Sequence, residues 1–365
     1  MRSERLAIAA CALLLLAPLA ASAQEILAPP LPLSRSLYVL DVPFLHFGAL
    51  DLTPLEAGRV SVDVDAAYAN TFSHTWHAAT IQREFHLQGQ PFTRDIADTL
   101  HVRHPLDVIA FLDAELTRVA LVARAGLTRS LAVEVEVPWI SWSALHADGA
   151  IEDFHRALGI ADAQRPLFPR GRFQLVRQRP FGALEFDDAT PSAGLGDATL
   201  RLAWRGMPSD RTEAGVAVAV KAPTGSADDL RGSGSWDAGV IAGVSRRFFA
   251  SRRLGLHLQG AVVEPGRYRG ERATTIRETG AFTRLVLGAD VRIGRGTYVS
   301  LTGVREQSPF RRDDVGDGAR ASIEVVFGIV QELSRHARVR FGVTENVPQG
   351  GDAADVAVLL GLSVR

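Results

Sequence analysis

The chain has 365 residues, and its 41 acidic side chains nearly balance 40 Lys plus Arg. This balance excludes a dominant nucleic-acid-binding surface, so no nucleic-acid partner is expected. Its single cysteine, Cys11, excludes disulfides, cysteine nucleophiles and thiolate metal sites from the body of the protein. Beyond the N-terminus, no charge-free apolar run reaches the about 18 residues that a spanning helix needs.

Arg2 and Arg5, the apolar run Leu6 to Ala20 and the small-residue exit Ala21-Ser22-Ala23 have the order of a secretory signal peptide. Residues 1–23 are the expected signal, with cleavage after Ala23. Ile8-Ala9-Ala10-Cys11 superficially resembles a lipoprotein signal, but the leucine-rich part follows Cys11 instead of preceding it. Residues 24–59 contain Pro29, Pro30, Pro32, Pro43 and Pro54 and read as an irregular segment in the periplasm or the lumen.

The remaining 60–365 alternates apolar with small or polar side chains, the period of a strand with two different faces. Leu131, Val133, Val135, Val137 and Trp139 share one face, and Glu134 and Glu136 take the other. Leu200, Leu202 and Trp204 likewise oppose Arg201, while Leu254, Leu256 and Leu258 oppose His257 and Gln259. Ala321, Ile323, Val325 and Phe327 oppose Arg320 and Glu324, and Val339, Phe341 and Val343 oppose Arg338 and Arg340.

Strands are expected near 60–70, 110–125, 131–139, 197–205, 214–222, 236–248, 254–263, 279–291, 297–306, 319–331, 337–346 and 354–364. A further pair within 75–105 would raise the number from twelve to fourteen, because Thr75 to Phe85 is weakly strand-like. Short joins at 126–130, 206–213, 249–253, 294–296 and 334–336 alternate with longer ones at 140–196, 223–235, 264–277 and 307–318. This is the rhythm of an all-β transmembrane antiparallel barrel with short periplasmic turns and longer outer loops, exported without a transmembrane helix.

In that arrangement Tyr68, Trp139 and Trp236 fall at the outer ends of strands, and Trp204, Phe248 and Tyr298 at the inner ends, as two aromatic girdles. The faces slip between Glu115 and Leu121, where a bulge would reset them. Arg365 replaces the terminal aromatic of the usual outer-membrane ending, although Val356, Val358, Leu360, Leu362 and Val364 still alternate.

The phrases Leu112-Asp-Ala-Glu-Leu116, Gly126-Leu-Thr-Arg-Ser-Leu-Ala-Val-Glu-Val-Glu-Val-Pro138 and Glu152-Asp-Phe-His-Arg-Ala-Leu-Gly159 resemble the Gram-negative family known as domain of unknown function 3187. The likeness covers most of the mature chain and implies an outer-membrane β-barrel, without a reaction or solute to carry over. Lys221-Ala-Pro-Thr-Gly225 and Ser233-Gly-Ser-Trp-Asp237 also look like strand-loop-strand phrases of uptake barrels for aromatic compounds and other hydrophobic solutes. A Lys-x-Pro-Thr-Gly turn can equally do no more than end a strand.

Inside a barrel, Asp63, Asp65, Asp113, Glu115, Glu134, Glu136, Arg201, His257, Arg320, Glu324, Arg338 and Arg340 either line a wet passage and meet solute or form a crosslinked interior network. In the long loop, Ile151, Phe154 and Leu158 mark one side of a short helix that also carries His155. That helix is a gate, an element at the outer leaflet or local packing. Ser141, Ser143 and His155 show no nucleophile elbow, so an acyl hydrolase is not expected and no catalytic residue is assigned.

Asp187-Asp188, Asp228-Asp229 and Asp313-Asp314 with Asp317 offer carboxylates to a hard cation but lack the EF-hand spacing. Solvent exposure explains them as well, and metal binding stays open. No cofactor is expected. The sequence thus points to passage or binding of small, possibly hydrophobic solutes through a barrel in the Gram-negative outer membrane, with a noncatalytic structural or interaction barrel as the alternative. Expected partners are membrane lipid, lipopolysaccharide and the barrel-assembly machinery, together with any small-molecule solute.

Overall fold

The computed structural model describes residues 35–365, except 53–54, 92, 106–108, 144–147, 160–163, 179–183, 189–191, 207–208, 210, 250–252, 273–275, 277–278, 311–320 and 348–353. Twelve antiparallel strands close into a barrel. They are β1 (Val60–His74), β2 (Ile109–Gly126), β3 (Leu131–Ser143), β7 (Ala198–Arg205), β8 (Thr212–Ala222), β9 (Asp237–Phe248), β10 (Leu254–Glu264), β11 (Phe282–Arg292), β12 (Thr297–Glu306), β13 (Ser322–Glu332), β14 (Ala337–Asn346) and β15 (Val356–Val364). Each pairs with its neighbours in chain order, and β1 closes the ring on β15 from Val62↔Val364 to Asn70↔Val356. All twelve sequence-derived strands are present, with only their ends moved.

Three short strands extend the sheet above the barrel: β4 (Gln174–Gln178) on the outer end of β2, β5 (Leu184–Asp188) on β4, and β6 (Ala193–Leu195) on the outer end of β3. The expected strand pair within 75–105 is instead two helices, α1 (Trp76–Glu84) and α2 (Arg94–Arg103). Ala78, Ala79, Ile81 and Ala97 bury against Phe72, Phe111 and Phe168, so tertiary contact overrides the weak alternation of Thr75 to Phe85. A third helix, α3 (Asp148–Leu158), lies in the long loop.

The two faces of the wall identify its solvent. On β11 the outward Leu287 is 63% exposed, whereas the inward Arg284 is 3% exposed. Val135, Val137, Leu200, Leu202, Val218, Leu258, Phe327 and Leu360 repeat that outward apolar exposure around the ring. A water-soluble sandwich buries its apolar face, so this inverted wall belongs in hydrocarbon, which is the arrangement of an outer-membrane barrel.

The pairing of β1 with β2 is unbroken from Val60↔Ala125 to His74↔Phe111, and that of β2 with β3 from Glu115↔Ser143 to Gly126↔Ala132. No bulge resets the faces between Glu115 and Leu121. The girdle assignment also needs one correction. Tyr298 is buried on the lumen face, where the Arg247 guanidinium lies 5.5 Å from its ring, while Trp139, Trp204 and Trp236 stand exposed.

Residues 35–52 form no strand or helix and sit within the barrel. Their tip turns through hydrogen bonds from the amides of Asp41 and Val42 to the Tyr38 carbonyl. Leu37, Tyr38, Leu40 and Phe44 pack with the inward-facing Leu116 and Trp142 and with loop residues Tyr268 and Phe310. Farther along, Phe47, Leu50 and Leu52 meet Ala217, Ile241 and Ala261 of the wall. A Cβ at Gly239 would lie 2.8 Å from the Phe47 ring, and one at Gly215 would lie 2.6 Å from Leu52. Glycine at these two places is what lets the segment seat against the wall.

Candidate functional site

Strand alternation sends Asp63 and Asp65 of β1, Glu134 and Glu136 of β3, Arg201 of β7, His257 of β10, Glu324 of β13, and Arg338 and Arg340 of β14 into the lumen. There they meet opposite charges. Arg340 approaches Asp65 at 2.8 Å and Asp63 at 3.3 Å, Arg201 approaches Glu134 at 2.9 Å, and His257 Nε2 lies 2.5 Å from Asp290. Such pairing offsets the high cost of removing isolated charges from water.

Asp113 and Glu115 do not face the lumen. They share the outward face of Val119 and Leu121, because the register of β2 never slips, and they are buried where the outer loops fold back over the rim. Arg320 lies outside the described residues.

The lumen charges also grip residues 35–52, the occluding segment. Arg35 reaches Glu136 at 2.8 Å, and Glu136 is shared with Arg118 of β2. His46 Nδ1 lies 2.6 Å from Glu306, which also holds Arg284. The Leu45 amide donates to Asp237 at 2.7 Å. At the inner mouth, Asp51 Oδ2 accepts from Arg338 Nη2 at 3.0 Å and lies 3.1 Å from Arg124 and 3.7 Å from Arg365. The Gln259 side chain also pairs with the backbone of Leu50. The expected residues supply part of this set, but Asp51, Arg118, Arg124, Asp237, Gln259 and Glu306 are not among them. Inward parity on the strands marks the wall members; nothing local marks Asp51.

Arg365 continues the inward parity of Gly361 and Ser363, so its side chain belongs to the lumen while Val364 faces outward. Lys221, first in the turn phrase, is likewise buried. It bonds Asp197 and Ser233 and lies 3.3 Å from Asp237, so it fixes the rim beside the occluding segment.

Three cavities follow one side of the segment. The lowest lies between Leu52, Ser130 and Arg205, and the middle one shares Asp51, Arg124, Glu134 and Arg201 with it. The uppermost shares Arg35, Arg118 and Glu136 with the middle one and reaches Phe44, Ile140 and Lys221. Together they trace a path of mixed charged and apolar lining beside β2, β3 and β7, whose middle part also borders β1, β14 and β15.

Outside the wall, Arg165 anchors the folded-back loop. It donates to Asp148 at 2.5 Å, Asn70 at 2.8 Å and Asp355 at 2.6 Å, and lies 4.4 Å from the Phe72 ring. His155 of α3 is buried 3.4 Å from Glu345 of β14. Phe154 and Leu158 belong to the same helix. Ser143 Oγ is buried and has no hydrogen-bond partner among the described residues. Asp229 pairs with Arg231 at 2.5 Å; Asp313, Asp314 and Asp317 lie outside the described residues. Among the described residues, no three His, Cys, Asp or Glu side chains are grouped to hold a metal ion.

Residues 92–365 match the protein family of unknown function DUF3187. The chain belongs to that family. No curated protein matches it. The fold of this DUF3187 barrel is similar to that of the COG4313 outer membrane channel from Pseudomonas putida F1, with a TM-score of 0.51 at 12% identity over 85% of this chain and 96% of that one. The NanC porin superposes with a TM-score of 0.43 at 9% identity, over 83% and 99% of the two chains. The Ralstonia pickettii toluene transporter TbuX gives 0.40 at 10% identity, over 85% and 90%.

Proposed function

We propose that the DUF3187 barrel passes small solutes across the Gram-negative outer membrane and that residues 35–52 hold the path shut until they shift. The supporting observation is the run of three cavities with shared walls beside this segment, which stops beneath its apolar tip at Phe44. A solute of more than a few atoms needs the segment to move, because Arg35 and Asp51 themselves form part of the cavity lining. The charged groups Asp51, Arg124, Glu134 and Arg201, shared by the two lower cavities, suit polar solutes better than hydrophobic ones, since an apolar molecule there gains no partner for the groups it desolvates.

The same contacts favour a second reading, in which a permanently closed barrel serves the envelope structurally. Buried ion pairs and seats for Phe47 and Leu52 hold the segment firmly. Liposome swelling with a graded panel of sugars, amino acids and small carboxylates separates the two. Passage predicts uptake by the full barrel and faster uptake by Gln259→Leu, which frees the backbone of Leu50. Absence of uptake in both proteins, each folded and inserted, rejects passage and leaves the structural reading.

A further inference from the structure

At the inner mouth, three wall arginines converge on one carboxylate of the occluding segment. Arg124 of β2, Arg338 of β14 and Arg365 after β15 are all buried or nearly so, and all approach Asp51 Oδ2 within 3.7 Å. Their other contacts leave cationic capacity unused. Arg338 Nε donates to Ser363, and Arg124 Nη1 donates to the Asp51 carbonyl at 3.3 Å. Arg124 Nε and Arg338 Nη1 are buried with no hydrogen-bond partner among the described residues, while Arg124 Nη2 and Arg365 Nη2 are the atoms that face Asp51.

A buried guanidinium N–H without an acceptor is costly, and one carboxylate is fewer than three arginines can engage, so the cluster holds more donors than Asp51 accepts. A planar carboxylate matches the guanidinium fork, and several arginines around one anion are a recurrent recognition device. The middle and lowest cavities border Asp51 and Arg124, so this side of the cluster adjoins open space.

We propose that Arg124, Arg338 and Arg365 form a binding site for small carboxylate solutes, and that Asp51 occupies it as an internal mimic. The assignment names a solute class for the passage reading and rests on that reading for its physiological meaning. Binding itself requires only that the Asp51 carboxylate be absent. When the segment shifts, the site changes from an internal ion pair to three arginines at the inner mouth, ready to exchange Asp51 for a solute carboxylate.

Chemical rescue tests the site directly. The full-length Asp51→Ala barrel is purified in detergent and melted in sodium acetate or in sodium chloride at equal ionic strength. Acetate is expected to raise its Tm by about 1 to 2 °C, the shift that a modest ligand contribution gives in a chain of this length. Chloride should do less, the wild type should not respond, and adding Arg338→Gln should abolish the effect. If Asp51→Ala does not fold unaided, acetate in the refolding buffer should restore its heat-modifiable folded form where chloride does not. Equal responses to acetate and chloride, or no rescue in either format, would overturn the proposal. Neither readout involves flux, so loss of rescue with intact solute uptake faults this site alone, whereas rescue without uptake faults the passage reading.

Discussion

Gln259 of β10 holds the backbone of Leu50 with both ends of its amide: Oε1 accepts from the Leu50 N–H at 2.9 Å, and Nε2 donates to the Leu50 carbonyl at 3.2 Å. The wall thereby supplies a strand-like partner to a segment that has no strand. Gln259→Leu should strand both backbone groups, each costing about 1 to 3 kcal/mol when buried unpaired. Hydrogen exchange at the Leu50 amide should accelerate accordingly, while amides in β12 and β13 keep their protection.

Seating of the segment should weaken as pH rises. Burial pushes the Asp41 carboxyl up to about 7, even with His46 nearby and the Ser36 hydroxyl donating at 2.6 Å. Burial opposes charge on His46, but Glu306 and Asp41 outweigh it and lift the imidazole above its usual value against the pull of Arg284. Docking therefore takes up protons at both groups. For Asp41 the advantage declines from the ordinary carboxylate value near about 4 through 7, and for His46 it is full below about 6.5 and lost above. Glu306, Arg284 and Glu324 face these groups, so Glu306→Gln should remove much of the His46 share. Protease sensitivity of residues 35–52 between pH 5 and pH 8 reads the effect; greater sensitivity at pH 5 would reverse the sign.

Adjacent residues of β3 should respond in opposite ways. Val135 is 43% exposed on the lipid side, and Glu136 is 8% exposed in the lumen. Val135→Arg places a charge in the apolar belt, at about 2 to 4 kcal/mol near the bilayer midplane. Glu134→Gln should disturb folding less, weakening only the pair with Arg201. Urea unfolding in lipid vesicles compares the two, and lipid-quenched labels at 133 to 137 should report alternating access.

Removing Arg165 should release the outer loop without opening the barrel. Arg165→Met leaves Asp148 and Asp355 buried without their cation, a loss of about 3 to 5 kcal/mol when one partner of a buried pair is deleted. Limited proteolysis should then cut between residues 144 and 178 while the heat-modifiable barrel band persists. An unchanged cleavage pattern would contradict the anchoring role.

The strands were legible because lipid outside and charge inside impose a two-residue period that Leu131 to Trp139 displays without interruption. Helix α1 was not, because Thr75 to Phe85 alternates weakly and only the aromatic surface of Phe72, Phe111 and Phe168 decides its form. Asp113 and Glu115 depart from the expected lumen position because a buried charge does not by itself mark the lumen: above the membrane the outer face is also covered by protein. Asp51 was invisible for a different reason. Its partners stand at 124, 338 and 365, and nothing in Leu50-Asp51-Leu52 announces contacts so distant in sequence.

The account turns on whether residues 35–52 are the closure of the path. Cysteines placed at Phe47 and Gly239, which touch where the segment seats on the wall, can be joined by a short reducible bifunctional thiosulfonate reagent, since the only natural cysteine is Cys11. Single-channel recording in planar bilayers then compares the same barrel before joining, after joining and after reduction. Openings that vanish on joining and return on reduction are the predicted result; conductance unaffected by the crosslink would contradict it, because solute and ions would then be passing without movement of the segment.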